Sequence, residues 1–179
     1  MIIVDFETTG LLRDGVSDFL AQPGIVQCAV LRFNKGTKTE EFCSFVNPEM
    51  SIEPEAQKTH GITLDQVAGA PTFFELFPRL SEFCLGETHW IGYNTKFDKL
   101  VLWHQLCRYG FERNFPWPPR EIDVMRLVEA RLNGQGKQGS KRWKLTDAYR
   151  EIIGKEMEGA HDAMADVRAT YEIYMELTA

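Results

Sequence analysis

Apolar positions along this chain follow two periods, short runs that mark strands and three-to-four spacing that marks helices. Ile2, Ile3, Val4 and Phe6 open the chain as a buried strand, which Thr8, Thr9 and Gly10 end. After a loop over 11–23, Ile25 to Phe33 reads as a second strand, and Asn34-Lys35-Gly36 supplies a turn. Thr37 to Val46 follows, with Phe42, Ser44 and Val46 in alternation, so the first three strands predict an antiparallel meander. Its third strand starts with Lys, Thr and Glu, as suits a sheet edge. Residues 49–71 hold short helical pieces. The spacing then predicts a helix capped by Thr72 and running to about Leu85, with Phe74, Phe77, Leu80 and Cys84 on one face. Pro78 inside it predicts a kink or a break. His89 to Tyr93 is a short strand, and a helix runs from about Lys96 to Tyr109, stopped by Gly110. Glu121 to Val124 reads as a last strand, followed by a helix through Arg131. Thr146 is expected to cap a helix that stops at Gly154, and a final helix begins near Asp162. The order is three strands, a helical segment, strand, helix, strand and then helices, an α/β architecture.

The length of 179 residues suits one domain, 1–179, with a sizeable core. A hydrophobic share of 44% excludes a disordered chain. No apolar run approaches the ~20 residues of a membrane span. The opening strand begins at residue 2, so a cleavable targeting segment is not expected. Cys28, Cys43, Cys84 and Cys107 are scattered, form no Cys-x-x-Cys and read as reduced core residues of a cytoplasmic protein. The formal net charge of −6 argues against a broad basic face for duplex, but not against a local site filled by metal ions.

The candidate chemistry starts in the first strand. Residues two apart share a strand face, so Asp5 and Glu7 point one way while Ile2, Val4 and Phe6 point the other. Two carboxylates on one face of a buried strand repel and lose hydration unless a cation sits between them. A second stretch, Gly92-Tyr93-Asn94-Thr95-Lys96-Phe97-Asp98, follows a strand and opens a helix, with Asp98 in its first turn. A third, Ala160-His161-Asp162-Ala163-Met164-Ala165-Asp166, separates His161 and Asp166 by five residues, which do not share a helical face. The spacing fits a His161 on the preceding loop, Asp162 as the cap, and Asp166 one turn inside at the rim of a site, with Met164, Val167, Tyr171 and Tyr174 buried. Taken singly, each stretch is also an ordinary strand end or helix start. Together, four acids and one His fit a site for two hard divalent cations, Mg²⁺ or Mn²⁺ rather than zinc. Imidazole beside such ions suits proton transfer from water near neutral pH.

The motifs VDFETTG, GYNTKFD and HDAMADV resemble those of the DnaQ-like, or DEDDh, 3′→5′ exonucleases, in order and spacing along nearly the whole chain. The THGI segment resembles the loop between that family's third strand and next helix, and HDAMADV with IDVMR looks most like its exonuclease I branch. The resemblance implies an RNase H-like mixed sheet of five strands, three antiparallel then two parallel, flanked by helices. It implies that Asp5 bridges two metal ions about 4 Å apart, that Glu7 and Asp166 bind the water-activating ion, that Asp98 holds the second, and that His161 is the general base. The product would be a nucleoside 5′-monophosphate, cut from the 3′ end of single-stranded DNA or, alternatively, of RNA. A non-catalytic nucleic-acid or polymerase-associated module is the further alternative.

Backbone N–H groups at Thr8 and Thr9 are candidate contacts to the terminal nucleotide. Leu11, Leu12, His60, Ile62 and Phe97 are candidates to pack on its base, although core or loop packing is the ordinary reading for most of them. Asn94 is a turn residue and a candidate substrate contact. Lys137, Lys141, Arg142 and Lys144, with Trp143, form a charged loop that either guides the strand or is simply solvated. Asp123 is a candidate support for the site. The chain stops thirteen residues after Asp166, which leads to the expectation of a free-standing small exonuclease, monomeric or homodimeric.

Overall fold

The structure, a computed structural model, describes residues 1–34, 37–133 and 142–179, with the backbone alone for 37–39. The five-stranded sheet has the order β3-β2-β1-β4-β5, formed by β1 (Ile2–Thr8), β2 (Ile25–Asn34), β3 (Thr37–Phe45), β4 (His89–Gly92) and β5 (Arg120–Asp123). β1, β2 and β3 pair antiparallel, while β4 pairs parallel with both β1 and β5. This is the RNase H-like mixed sheet that the motifs implied, with β3 at one edge. The turn expected at Asn34-Lys35-Gly36 falls partly outside the described residues, as do Lys137 and Lys141.

Strand alternation sorts the chain into two cores. Ile2, Val4, Phe6, Cys28 and Val30 face helices α3 (Phe73–Cys84) and α4 (Thr95–Tyr109). Ile3, Ala29, Leu31 and Phe33 face α5 (Val124–Leu132), α6 (Leu145–Ile153) and α7 (Ala163–Thr178). β2 is buried on both faces, which explains its nearly continuous apolar run. A register shift opposite Glu7 and Thr8 leaves Val26 as an extra residue of β2. Val26 turns into a small third cluster with Ile52, Ile62 and Val67, beneath the short helices α1 (Pro54–His60) and α2 (Leu64–Val67). Among the described residues, no helix is long and apolar enough to cross a membrane.

Several local expectations need correction. α3 does begin after Thr72, which forms a capping box with Glu75, and of the kink or break expected at Pro78 the break is absent, since the helix continues to Cys84. Pro78 lies on the exposed side, so the Phe74 carbonyl that loses its partner can meet water. The buried face of α3 is Phe73, Leu76, Phe77, Leu80 and Cys84, while Phe74 is exposed and packs at the rim, 5.5 Å from the Phe111 ring. Thr146 does not cap α6. The helix starts at Leu145, which packs against the second core, with Lys144 in the capping position. Tyr171 and Tyr174 are half-buried. Cys43 is exposed and Cys107 half-buried, so only Cys28 and Cys84 are core cysteines.

Candidate active site

β1 extends past β4, because only Ile2 and Ile3 pair with that strand. The main chain of β1 beyond Ile3 is therefore open on one side. Asp98, in the first turn of α4, reaches into this gap, towards the backbone N–H groups of Phe6 and of its own residue. The approach is close. A Cβ on Gly92 would lie 3.2 Å from the Val4 carbonyl oxygen and 3.3 Å from the Thr95 methyl, so a residue without a side chain suits this strand end. Asn94, in the left-handed region at φ 70°, turns the chain from β4 into α4. Its N–H donates to Asp123 Oδ1 (3.0 Å), which also accepts the Met125 N–H (3.1 Å) as the cap of α5.

The opposite helical layer supplies the other groups. α7 starts at Ala163, with Asp162 accepting the Ala165 N–H at 3.0 Å. His161, just before the cap, has a φ of 68°, and its N–H donates to Asp166 Oδ1 at 3.2 Å. Glu7, His161 and Asp166 each bring a ligand atom to within 4.8 Å of one another. Asp5 lies deeper on the same face of β1, within electrostatic reach of Glu7, Asp98 and Asp166. The five residues of the three motifs thus converge at the carboxyl ends of the parallel strands, where open α/β sheets place ligands.

The assembly is electrostatically unfavourable by itself. Burial, then the Asp98, Asp166 and Glu7 charges, push the Asp5 carboxyl well above its ordinary range. Burial and the Asp166 and Asp162 charges raise Glu7 to about 8. Asp166 is raised to about 6, mainly by burial, with His161 opposing the shift. Asp98, buried at 2% exposure, is also raised by burial, with the nearby backbone N–H groups of Phe6 and Asp98 opposing the shift. The chief charges acting on Asp5 and Glu7 are other carboxylates, so the positive charge that would relieve them must be brought in. Carboxylate oxygens crowded in this way suit a hard divalent cation, and Glu7, His161 and Asp166 form a group able to hold one.

Two clefts flank this cluster. The smaller, about 410 Å³, is lined by Glu7, Thr8, Leu11, His60 and Phe97 among others. The larger, about 740 Å³, is lined by Leu11, Tyr93, Asn94, Arg142, Trp143, Lys144, His161 and Asp166 among others. Leu11 is 77% exposed and belongs to both. His60 accepts the Ile62 N–H at Nδ1 (2.9 Å), so its Nε2 carries the proton and donates to the Thr8 carbonyl (3.2 Å). Burial lowers its pKa, which favours this neutral form.

Other expected contacts lie elsewhere. Ile62 is buried in the third cluster, and Leu12 packs against the first core. The Thr9 N–H is already bonded to the Gly24 carbonyl at 2.8 Å, and its hydroxyl accepts the Gly24 N–H. It is therefore not free for a nucleotide, and Thr9 acts as a clamp on the loop before β2. Sequence reasoning missed two residues near the site. Glu53 packs so close over Gly10 that a Cβ there would lie 2.5 Å from its carboxyl, and nothing local in the sequence marks it. Gln27 does carry a signal, being a polar residue inside the apolar run of β2.

Comparison with known proteins matches residues 2–174 to the exonuclease family RNase_T. The DNA polymerase III subunit epsilon of Aquifex aeolicus is 26% identical over 176 residues, covering 98% of this chain and 79% of its own. A Mycobacterium tuberculosis protein named for exonuclease and endonuclease activities is 29% identical over 173 residues, 96% of this chain, but this chain spans only 25% of its length. In fold, E. coli exonuclease I bound to a dA16 oligonucleotide superposes with a TM-score of 0.79 at 21% identity, over 99% of this chain and 40% of that one. With the match running from β1 through most of α7, the chain belongs to the exonuclease family, the DnaQ-like DEDDh group of 3′→5′ exonucleases.

Proposed function

We propose that residues 1–179 act as one domain, a metal-dependent 3′→5′ exonuclease that removes nucleoside 5′-monophosphates from the 3′ end of single-stranded DNA. The observation that carries this reading is the convergence of Asp5, Glu7, Asp98, Asp166 and His161, from three distant segments and both helical layers, at the open end of the sheet. Asp5, Glu7, Asp98 and Asp166 would hold two Mg²⁺ ions, with Mn²⁺ able to substitute. When bound, such ions stabilise charge developing on the attacking and leaving oxygens of a phosphodiester.

The remaining work falls to the chain's own side chains. His161, exposed on the loop before α7, takes the proton of the attacking water at a ring nitrogen. Leu11, His60 and Phe97, walls of the smaller cleft, hold the terminal nucleotide beside Glu7. Apolar and aromatic packing of this kind holds a base without reading sequence. Arg142 and Lys144, in the larger cleft with Asn94, meet the phosphates of the strand leading away. The capture of exonuclease I, which shares this fold, with a dA16 oligonucleotide supports a DNA strand as substrate.

A 5′-labelled single-stranded DNA oligomer incubated with Mg²⁺ tests the reading. A descending ladder with 5′-mononucleotide product is expected, absent with chelator and absent in Asp5→Ala, whose fold should survive by circular dichroism. Parallel digestion of RNA and duplex oligomers measures preference. Undiminished digestion by Asp5→Ala, or faster digestion of RNA than of DNA, would overturn the assignment as stated.

A further inference from the structure

β2 carries one buried polar side chain where its pattern calls for an apolar one. Gln27 is 4% exposed and stands directly opposite Glu7 in the β1–β2 register. Its Nε2 donates to Asp162 Oδ2 at 2.8 Å, with Cys43 Sγ of β3 3.9 Å away, and its Oε1 accepts the Ala163 N–H at 3.1 Å. Asp162 uses its other oxygen for the Ala165 N–H at 3.0 Å and its carbonyl for the Asp166 N–H at 2.9 Å.

The wiring is tightly constrained. The N–H groups of Ala163 and Ala165 can only donate, so each takes an acceptor, one from residue 27 and one from residue 162. The two remaining ends face each other, and one must donate while the other accepts. Gln27 with Asp162 meets this condition. Glu at 27 with Asn at 162 meets it in reverse. Either change alone sets acceptor against acceptor or leaves a donor without a partner.

We propose that Gln27 is a positioning residue that locks the first turn of α7 onto β2 and thereby registers Asp166 and His161 against Glu7. Glu7 and Gln27 are cross-strand neighbours, so α7 cannot shift relative to Glu7 without breaking the bonds of Gln27. The lock lies immediately after the left-handed residue His161, where the largely exposed chain of 158–161 enters the helix. This assignment rests on the exonuclease reading above. Residues that orient a metal site from one step away commonly matter 10–100-fold.

The test compares wild type, Gln27→Glu, Asp162→Asn and the double variant, which keeps the wild-type net charge. Turnover is read at saturating Mn²⁺ and below the melting temperature, so that differences in metal affinity and stability drop out. Each single variant should lose about tenfold or more, with little change in KM for DNA, and the double should return to within about threefold of wild type. Without metal, amide exchange at Ala163 and Ala165 should quicken in each single variant and slow again in the double. Asp162 is exposed, so Asp162→Asn folds even if Gln27→Glu does not. Unchanged turnover in both single variants, or a double no better than its worse parent, would overturn the role of Gln27. Wild-type protein that neither binds Mn²⁺ by calorimetry nor digests DNA would instead overturn the exonuclease reading itself.

Discussion

Replacing Glu7 by glutamine removes an ionisable group from a crowded acidic cluster while keeping the size of the side chain. Burial and the carboxylates of Asp166 and Asp162 raise Glu7 to about 8, against 4.5 for the free group. The folded protein therefore binds a proton that the unfolded chain releases between those two values. Stability from this source is fully present below pH 4.5 and is lost as pH rises towards 8. At pH 7.5 the window spans about 3 pH units, or roughly 4 kcal/mol at 1.36 kcal/mol per unit. Because Glu7 is partly exposed, solvent and relaxation reduce this to about 2 kcal/mol. The neutral amide of the variant carries no such penalty. At 2–4 °C per kcal/mol for a chain of this size, Glu7→Gln should melt about 4–8 °C above wild type in chelator at pH 7.5. At pH 5 the difference should shrink to about 1 °C or 2 °C, because little of the titration window remains. Saturating Mg²⁺ should then reverse the order, since a ligand at 100 times its Kd adds about 2.7 kcal/mol to the protein that binds it. Thermal unfolding followed by circular dichroism, in chelator and in Mg²⁺ at both pH values, reads all of this. A variant no more stable than wild type in chelator at pH 7.5, or a gain equally large at pH 5, would refute the electrostatic account.

Two further substitutions separate chemistry from scaffold. His161→Ala should lower turnover by about 10²–10⁴-fold, the usual contribution of a general base, and leave Mn²⁺ binding within reach of calorimetry; weakened Mn²⁺ binding with turnover restored at high Mn²⁺ would make His161 a ligand instead. Asp123→Ala frees the N–H groups of Asn94 and Met125 together, and should cost about 1–2 kcal/mol in urea unfolding, with Asp123→Asn recovering part of it. A change within experimental error would mean that the Asn94 turn holds without this cap.

Sequence and tertiary structure divide this protein along a physical line. What repeats locally was legible. The period of two in β1 set Asp5 and Glu7 on one face, and the capping chemistry of Thr72 and Asp162 placed the starts of α3 and α7. The five-residue offset put His161 outside the helix that carries Asp166. The three motifs identified the family, because four acids and a His at that spacing are rare by chance. Local rules failed where a residue's neighbours come from far away. Pro78 leaves α3 intact because its lost bond faces solvent, Ile62 belongs to a small core because the bulge at Val26 opens one there, and the Thr9 N–H is taken by Gly24. Gln27 shows both sides. Its polarity inside β2 is visible in the sequence, but its meaning lies in Asp162 and Ala163, which follow it by 135 and 136 positions. The sequence by itself determined which segments are strands and helices and which residues carry acid groups, since backbone periodicity and side-chain chemistry are local properties. Only the tertiary structure decided that those acids meet where β1 outruns β4, because the gap exists between strands and not along the chain.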